Sequence, residues 1–356
     1  MSGTQKKIAI VHDWLSALGG AERVLIQMHA MFPEAPIYTL FARPEFTRAY
    51  LPRATIIPSA LQKMPFIGRA YRMYAPLMPL QIEAFDLSHA DVVISSSVTF
   101  AKGLILRPKT RHICYCYSPA RMLWDRSAAY ERGGRVTRHL LRLWDSEGSE
   151  RVDEFVAISR HVQSRIKKYY RKDSKVIYPP VPALQSSAGD TSEVEPYYLI
   201  VSRLFPHKNL DTAIDAFNKI GERLVIIGDG PLRASLKISA KKNIRFLGKQ
   251  DDAALAGYYA RCSALILPNE EDFGLTAVEA MQFGKPVLAL RHGGALETVL
   301  EGITGEFFDD AIPESIVDGL KRLKGNYHAY DPETIKKHAE KFSLQAFQDQ
   351  MRELII

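Results

Sequence analysis

The run E-D-F-G-L-T-A-V-E-A-M-Q-F-G-K-P-V-L, Glu271 to Leu288, carries most of what this chain says about its architecture. Ahead of it stands S-A-L-I-L-P, and P-V-L-A-L closes it. Short aliphatic runs bounded by turn residues have the pattern of strands buried on both faces of a parallel sheet. Between the two strands, Gly274 allows a tight bend without a Cβ penalty. The residues after it open a helix whose first N–H groups lack intrahelical partners and favour a phosphate. Glu271 then lies on the loop before the helix and Glu279 about a turn inside it. Both can line a pocket at the C-terminal edge of the sheet, where open α/β folds bind ligands. A carboxylate accepts paired hydrogen bonds from neighbouring hydroxyls, so a sugar nucleotide suits the site: hydroxyls for the acids, phosphate for the helix end. The plainer alternative makes Glu271 a solvated loop acid and Glu279 a surface charge.

Working outward, strand-like runs alternate with helical ones through both halves, which predicts α/β architecture. In the first half the strands are K-I-A-I-V-H-D, A-P-I-Y-T-L-F, D-V-V-I-S-S-S, R-H-I-C-Y-C-Y-S and E-F-V-A-I-S. Helices are expected over Ala21–Met31, Arg135–Arg151 and Arg160–Tyr170. The Pro- and Ser-rich stretch from Pro179 to Pro196 has linker composition. The second half begins again with Y-Y-L-I-V-S-R-L, a helix from Leu210 to Ile220, and R-L-V-I-I-G-D-G, N-I-R-F-L-G, A-L-I-L-P and P-V-L-A-L. The resulting division is 1–181, a linker over 182–196, 197–335, and a C-terminal helix over 336–356.

Other residues cluster at predicted strand ends. Arg203 and Lys208 follow the first strand of the second half and could neutralise a diphosphate, one as a fork and one as a point charge. Gly19 and Gly20 follow the first strand of the chain and precede a helix, where backbone can approach a phosphate closely. Gly228 lies in I-G-D-G-P. Cys114, Cys116 and Cys262 form no disulfide or zinc framework, and Cys114 and Cys116, alternating along a strand-like run, are expected as small core residues. His112 is expected as a core or strand-end histidine.

These motifs together resemble the two-domain retaining glycosyltransferases of family 4. The E-x7-E spacing of Glu271 and Glu279 comes with strand, glycine turn, helix and G-K-P-V strand entry in order. S-R-L-F-P-H-K-N-L is similar to the family's diphosphate-holding element. C-Y-C-Y-S-P-A-R-M-L-W-D, Cys114 to Asp125, with H-D-W…G-G-A-E-R-V, S-S-S…A-K-G and K-V-I-Y-P-P-V, resembles a narrower group, the bacterial mannosyltransferases of O-antigen and exopolysaccharide assembly. The resemblance implies two Rossmann-like domains with a cleft between them, the last helix packing back on the first domain. It implies catalytic roles for Glu271, Arg203 and Lys208, with Gly19, Gly20, Gly228, Phe273, Gly274, Leu275 and Glu279 around the donor. Tyr117, Arg121 and Lys102 are expected on the acceptor or sugar side; many relatives carry His where this chain has Tyr117. The implied reaction transfers a hexose, mannose from GDP-mannose, to a lipid-linked glycan hydroxyl in surface polysaccharide assembly, without a metal or other cofactor. A UDP-sugar transferase, a sugar-nucleotide epimerase and a glycan phosphorylase keep the same fold. From a different class, a basic membrane- or nucleic-acid-binding protein leaves the four charged site residues unexplained, and no nucleic-acid motif supports it.

With 356 residues the chain is long enough for two cores, and its 46% apolar and 24% charged content is that of a globular protein. Residues 1–181 hold 27 Lys+Arg against 15 Asp+Glu, while 182–356 hold 20 against 25. A basic first half suggests an anionic partner. From Phe46 to Ile82 there are five cations and no acid, with Lys63, Arg69 and Arg72 set among aromatics and aliphatics. That composition suits either a segment resting on anionic lipid or a helical cover over the first core. The apolar segment near the N-terminus is too short for a signal peptide. The expected location is the cytoplasm, peripherally on the inner face of the cytoplasmic membrane.

Overall fold

A computed structural model describes residues 6–125, 134–184 and 195–355. The chain divides into two compact units, one of Met1–Pro179 with Phe347–Ile356 and one of Pro180–Ala346. Most of the expected linker, residues 185–194, lies outside the described residues.

The first unit holds a seven-stranded sheet of order β3-β2-β1-β4-β5-β6-β7. Its strands are β1 Ile8–His12, β2 Ile37–Thr39, β3 Ile56–Pro58, β4 Val92–Ser97, β5 Arg111–Cys116, β6 Glu154–Ala157 and β7 Ser174–Val176. All pairings are parallel. Helices Gly20–Met31, Arg135–Glu150 and Arg160–Tyr170 connect strands, the last started by Ser159 Oγ accepting the Val162 N–H at 3.0 Å. Short helices fill residues 60–83, and their inner side chains Leu61, Ile67, Met78 and Ile82 join the core under β1 and β4. The helix Leu344–Ile355 completes this unit: Phe347 meets Tyr115 edge-on at 5.8 Å, and Met351 and Leu354 are buried. The expected single helix over 336–356 is two, because Pro332–Ala339 ends before Ser343 and only the second joins the first unit.

The second unit repeats the plan with six parallel strands in the order β10-β9-β8-β11-β12-β13. These are β8 Tyr198–Val201, β9 Leu224–Ile227, β10 Ile244–Gly248, β11 Ala264–Leu267, β12 Val287–Leu290 and β13 Gly305–Phe308. Both orders are those of doubly wound Rossmann-like sheets, with the chain reversing direction between β1 and β4 and between β8 and β11. Crossover helices on both faces bury the central strands fully, which is why V-V-I, L-V-I-I and A-L-I-L carry no polar alternation. The strands β3, β7 and β13 were absent from the expected set.

Candidate active site

The loops after β8 and β11 meet at the second sheet's switch point, and each delivers charged groups there. After β8 the chain runs through Arg203 to a short turn of 3₁₀ helix, Pro206–Lys208. Asn209 follows in the left-handed region at φ 48°, and its side-chain amide donates to Pro268 O at 3.2 Å, tying this loop to the end of β11. Lys208 is 8% exposed, and its ammonium donates to Glu271 Oε1 from the facing loop. Arg203 is exposed, with its guanidinium 5.6 Å from the Phe205 ring centroid.

Gly274 sits at φ 95°, where a side chain would be strained, and turns the chain into helix Leu275–Gln282. The loop is pinned from behind by a glycine pair that the sequence reading missed. Gly294 N–H donates to Glu271 O at 2.8 Å, and a Cβ on Gly294 would stand 2.4 Å from Phe273 Cα. A Cβ on Gly293 would stand 2.3 Å from Glu271 O. A glycine pair two residues beyond the strand P-V-L-A-L was the available signal. Glu279, in the first turns of the helix, is 9% exposed and accepts the Tyr259 hydroxyl at 2.7 Å. Neither glutamate is a freely solvated surface charge, which disposes of the plainer alternative for this pair.

Gly228, at φ 134°, has a backbone reason to be glycine, since a Cβ would lie 1.9 Å from Ser202 O. A Cβ on Gly230 would lie 2.5 Å from Leu204 O. The pair lets the turn after β9 press against the loop bearing Arg203.

In the first unit the residues of the switch point lie after β1 and β4. Gly19 and Gly20 open helix Gly20–Met31, and the Gly19 N–H donates to Glu22 Oε2 at 2.9 Å. Asp13, which the sequence reading passed over, is fully buried. Its carboxylate accepts N–H groups from Val98, Thr99, Phe100 and Ala101 at 2.6, 3.0, 2.5 and 3.1 Å, shaping the loop after β4.

Two expected sugar-side residues are corrected here. Lys102 is 1% exposed and paired with the fully buried Asp145, which also accepts Trp124 Nε1 at 2.7 Å and the Tyr170 hydroxyl at 2.9 Å. A buried cation needs such a partner, and this one is enclosed beneath the surface rather than presented to a ligand. Tyr117 is also buried, its hydroxyl donating to Ala21 O at 3.0 Å and lying 2.9 Å from Ser96 Oγ. Burial pushes its phenol far up, so it does not titrate. Arg121 remains half-buried at the surface, 3.3 Å from Asp125. Lys63, Arg69 and Arg72 are exposed.

Residues 18–183 match the model of Glycosyltransferase Family 4, and residues 185–342 match that of Glycosyl transferases group 1. An uncharacterized glycosyltransferase of Methanocaldococcus jannaschii is 29% identical over 199 residues, 54% of this chain and 56% of that protein's length. An alpha-1,3/1,6-mannosyltransferase of Candida glabrata is 24% identical over 360 residues, 83% of this chain and 78% of that protein. Among solved structures, an Anabaena protein, HepE, in complex with UDP and glucose matches with a TM-score of 0.75 at 18% identity, over 99% of each chain. Two Rossmann-like units, the two family matches along nearly the whole chain and the charged switch-point loops lead to one assignment: the chain belongs to the family 4 glycosyltransferases.

Proposed function

We propose that this glycosyltransferase is a retaining hexosyltransferase that moves mannose from GDP-mannose onto a hydroxyl of a lipid-linked glycan. The observation that carries the proposal is the Lys208–Glu271 contact at the turn into helix Leu275–Gln282, with Arg203 on the same strand-end loop. Lys208 and Arg203 take the donor diphosphate, and the backbone from Phe273 to Leu275 contacts sugar and phosphate. Glu271 accepts hydrogen bonds from sugar hydroxyls, and Glu279, held by Tyr259, accepts those of the ribose. The bond from C1 to the phosphate oxygen breaks, and a bond from C1 to the acceptor oxygen forms on the same face. The acceptor proton passes to the departing phosphate oxygen. The two cations stabilise the charge that gathers there, so the work is electrostatic positioning. Mannose as the sugar is supported by the mannosyltransferase relative and by the O-antigen-type motifs of Cys114–Asp125. The likeness to HepE, solved with UDP and glucose, favours a UDP-sugar as the second reading.

Thermal shifts with GDP, UDP, ADP and their sugars test the donor: selective stabilisation by GDP and GDP-mannose supports the proposal, and a preference for UDP overturns it. For the site, Glu271→Ala is expected to lower transfer by at least about a hundredfold, the range for losing a group that acts mainly in the transition state. Nucleotide stabilisation should persist; unchanged turnover removes the role given to Glu271.

A further inference from the structure

The glycine loop of the first unit already holds an anion of its own. Glu22 Oε2 accepts the Gly19 N–H at 2.9 Å, while its other oxygen lies 3.8 Å from His12 Nε2. His12 is 1% exposed, and its Nε2 has no hydrogen-bond partner. The opposite side of the ring sets the tautomer of the neutral imidazole. Nδ1 lies 3.0 Å from Ser96 O and 2.9 Å from Ser96 Oγ. A carbonyl oxygen only accepts, so Nδ1 carries a proton, and in the neutral ring Nε2 then holds the lone pair. The remaining hydrogen bonds agree. Ser96 Oγ donates onward to the Tyr117 oxygen at 2.9 Å, and Tyr117 donates to Ala21 O at 3.0 Å, in the first turn of the helix that carries Glu22. With the ring neutral, two acceptors, Glu22 and His12 Nε2, face each other with no proton between them. A buried acceptor left in that state is costly, and relieving it favours a ligand that brings a donor.

We infer that the Gly19 N–H and His12 Nε2 form a binding site for a vicinal diol of a pyranose, and that Glu22 is the internal stand-in displaced when the sugar arrives. The inference rests on the transferase reading for the identity of the sugar, not for the site. A phosphate supplies acceptors only and leaves Nε2 unmet. Two neighbouring hydroxyls match both groups, one accepting from Gly19 and the other donating to His12. Glu22 can leave because it is a first-turn side chain held at Gly19 by one backbone N–H. His12 is then a sugar-positioning residue, and Ser96 and Tyr117 keep its tautomer.

The test exploits opposite signs at one position. Glu22→Ala removes the competitor and should lower the KM for the sugar substrate. Glu22→Gln should raise it, because the amide can donate to Nε2 while its oxygen keeps the Gly19 N–H. His12→Ala should raise the same KM about tenfold, the worth of one hydrogen bond, with partial rescue by His12→Gln and no change in stabilisation by GDP. Whether the shift appears in the donor's KM or the acceptor's tells which sugar binds there. Independently of turnover, the nitrogen resonances of His12 in the full-length protein should show the Nδ1–H tautomer, and Nε2 should move on adding methyl α-D-mannopyranoside but not GDP. Glu22 variants that change KM in the same direction, or a His12 signal unmoved by the sugar, overturn the inference. Absence of transfer with every nucleotide sugar while the His12 signal responds removes the transferase reading and leaves the diol site.

Discussion

His112 is 1% exposed, with Nε2 2.8 Å from Ser95 Oγ, and burial pushes its pKa down to about 4; the charge of Lys102 adds to this effect and Asp153 opposes it. The folded chain keeps this ring neutral, whereas the unfolded chain takes up a proton near 6.5. Stability from this site is therefore complete above pH 6.5 and lost as pH falls toward 4. Each tenfold difference in proton affinity between the two states is worth about 1.4 kcal/mol, so the loss is about 3 kcal/mol at most. Denaturant unfolding at pH 7 and pH 4.5 should show wild type losing more stability than His112→Gln; equal losses would contradict the assignment. The sequence suggested a core or strand-end histidine here, because an apolar strand enclosed it. It misplaced Lys102 for the complementary reason. A buried lysine is betrayed by its partner, and Asp145 lies 43 positions away on helix Arg135–Glu150, beyond any local pattern. The places of Glu271 on the loop and Glu279 inside the helix were legible because both sit on one strand–turn–helix unit.

At the scale of elements, the central strands declared themselves through unbroken aliphatic runs, since both faces are covered by helices. The strands that escaped are edge strands, away from the switch points. Ile56–Pro58 ends in a residue that cannot donate to a ladder, Ser174–Val176 carries an exposed Lys175, and Gly305–Phe308 opens on a glycine and includes Glu306. The glycine turn at 274 was legible from its place between strand and helix, but the support behind it was not, because Gly293 and Gly294 reach it from the next strand. That support gives a prediction about the element rather than any charged group. Gly294 has an ordinary φ of −68°, so alanine there is strained only by the 2.4 Å approach to Phe273 Cα. Backbone cannot yield as a flexible side chain does, so Gly294→Ala should push the Glu271–Gly274 turn out of place. Expected is a loss of transfer of about a hundredfold, as follows from misplacing a site by about an ångström. Donor stabilisation in the thermal-shift assay should weaken with it. Full activity in a well-folded Gly294→Ala protein would show that the turn is not held from this side.

Across the whole molecule, the excess of positive charge lies in the half whose outer helices also expose apolar side chains. Phe66, Met73 and Leu80 are 79%, 80% and 61% exposed among Lys63, Arg69 and Arg72, while Ile67, Met78 and Ile82 of the same segment are buried. The segment is thus both a cover for the core and a surface with apolar side chains left over, so the two sequence alternatives were not exclusive. Helix Arg135–Glu150 adds a second such face. Val136, Leu140 and Leu143 recur at i, i+4 and i+7 and are exposed, with Arg135, Arg138 and Arg142 on the same helix. Their flank adjoins Trp144, whose indole donates to Glu83 at 2.8 Å, at the end of the helix that bears Leu80. No described helix is long and apolar enough to cross a membrane. Each arginine near an anionic surface is worth about 1 kcal/mol, so Arg69→Glu with Arg72→Glu should weaken sedimentation with phosphatidylserine-containing vesicles by at least about tenfold. Binding by wild type should fall with added salt and vanish on neutral vesicles, since screening acts on the same charges. Transfer to a soluble acceptor analogue should survive the double reversal. If vesicle binding is the same for both proteins, the basic segment serves the core alone and the acceptor reaches the enzyme without the bilayer surface.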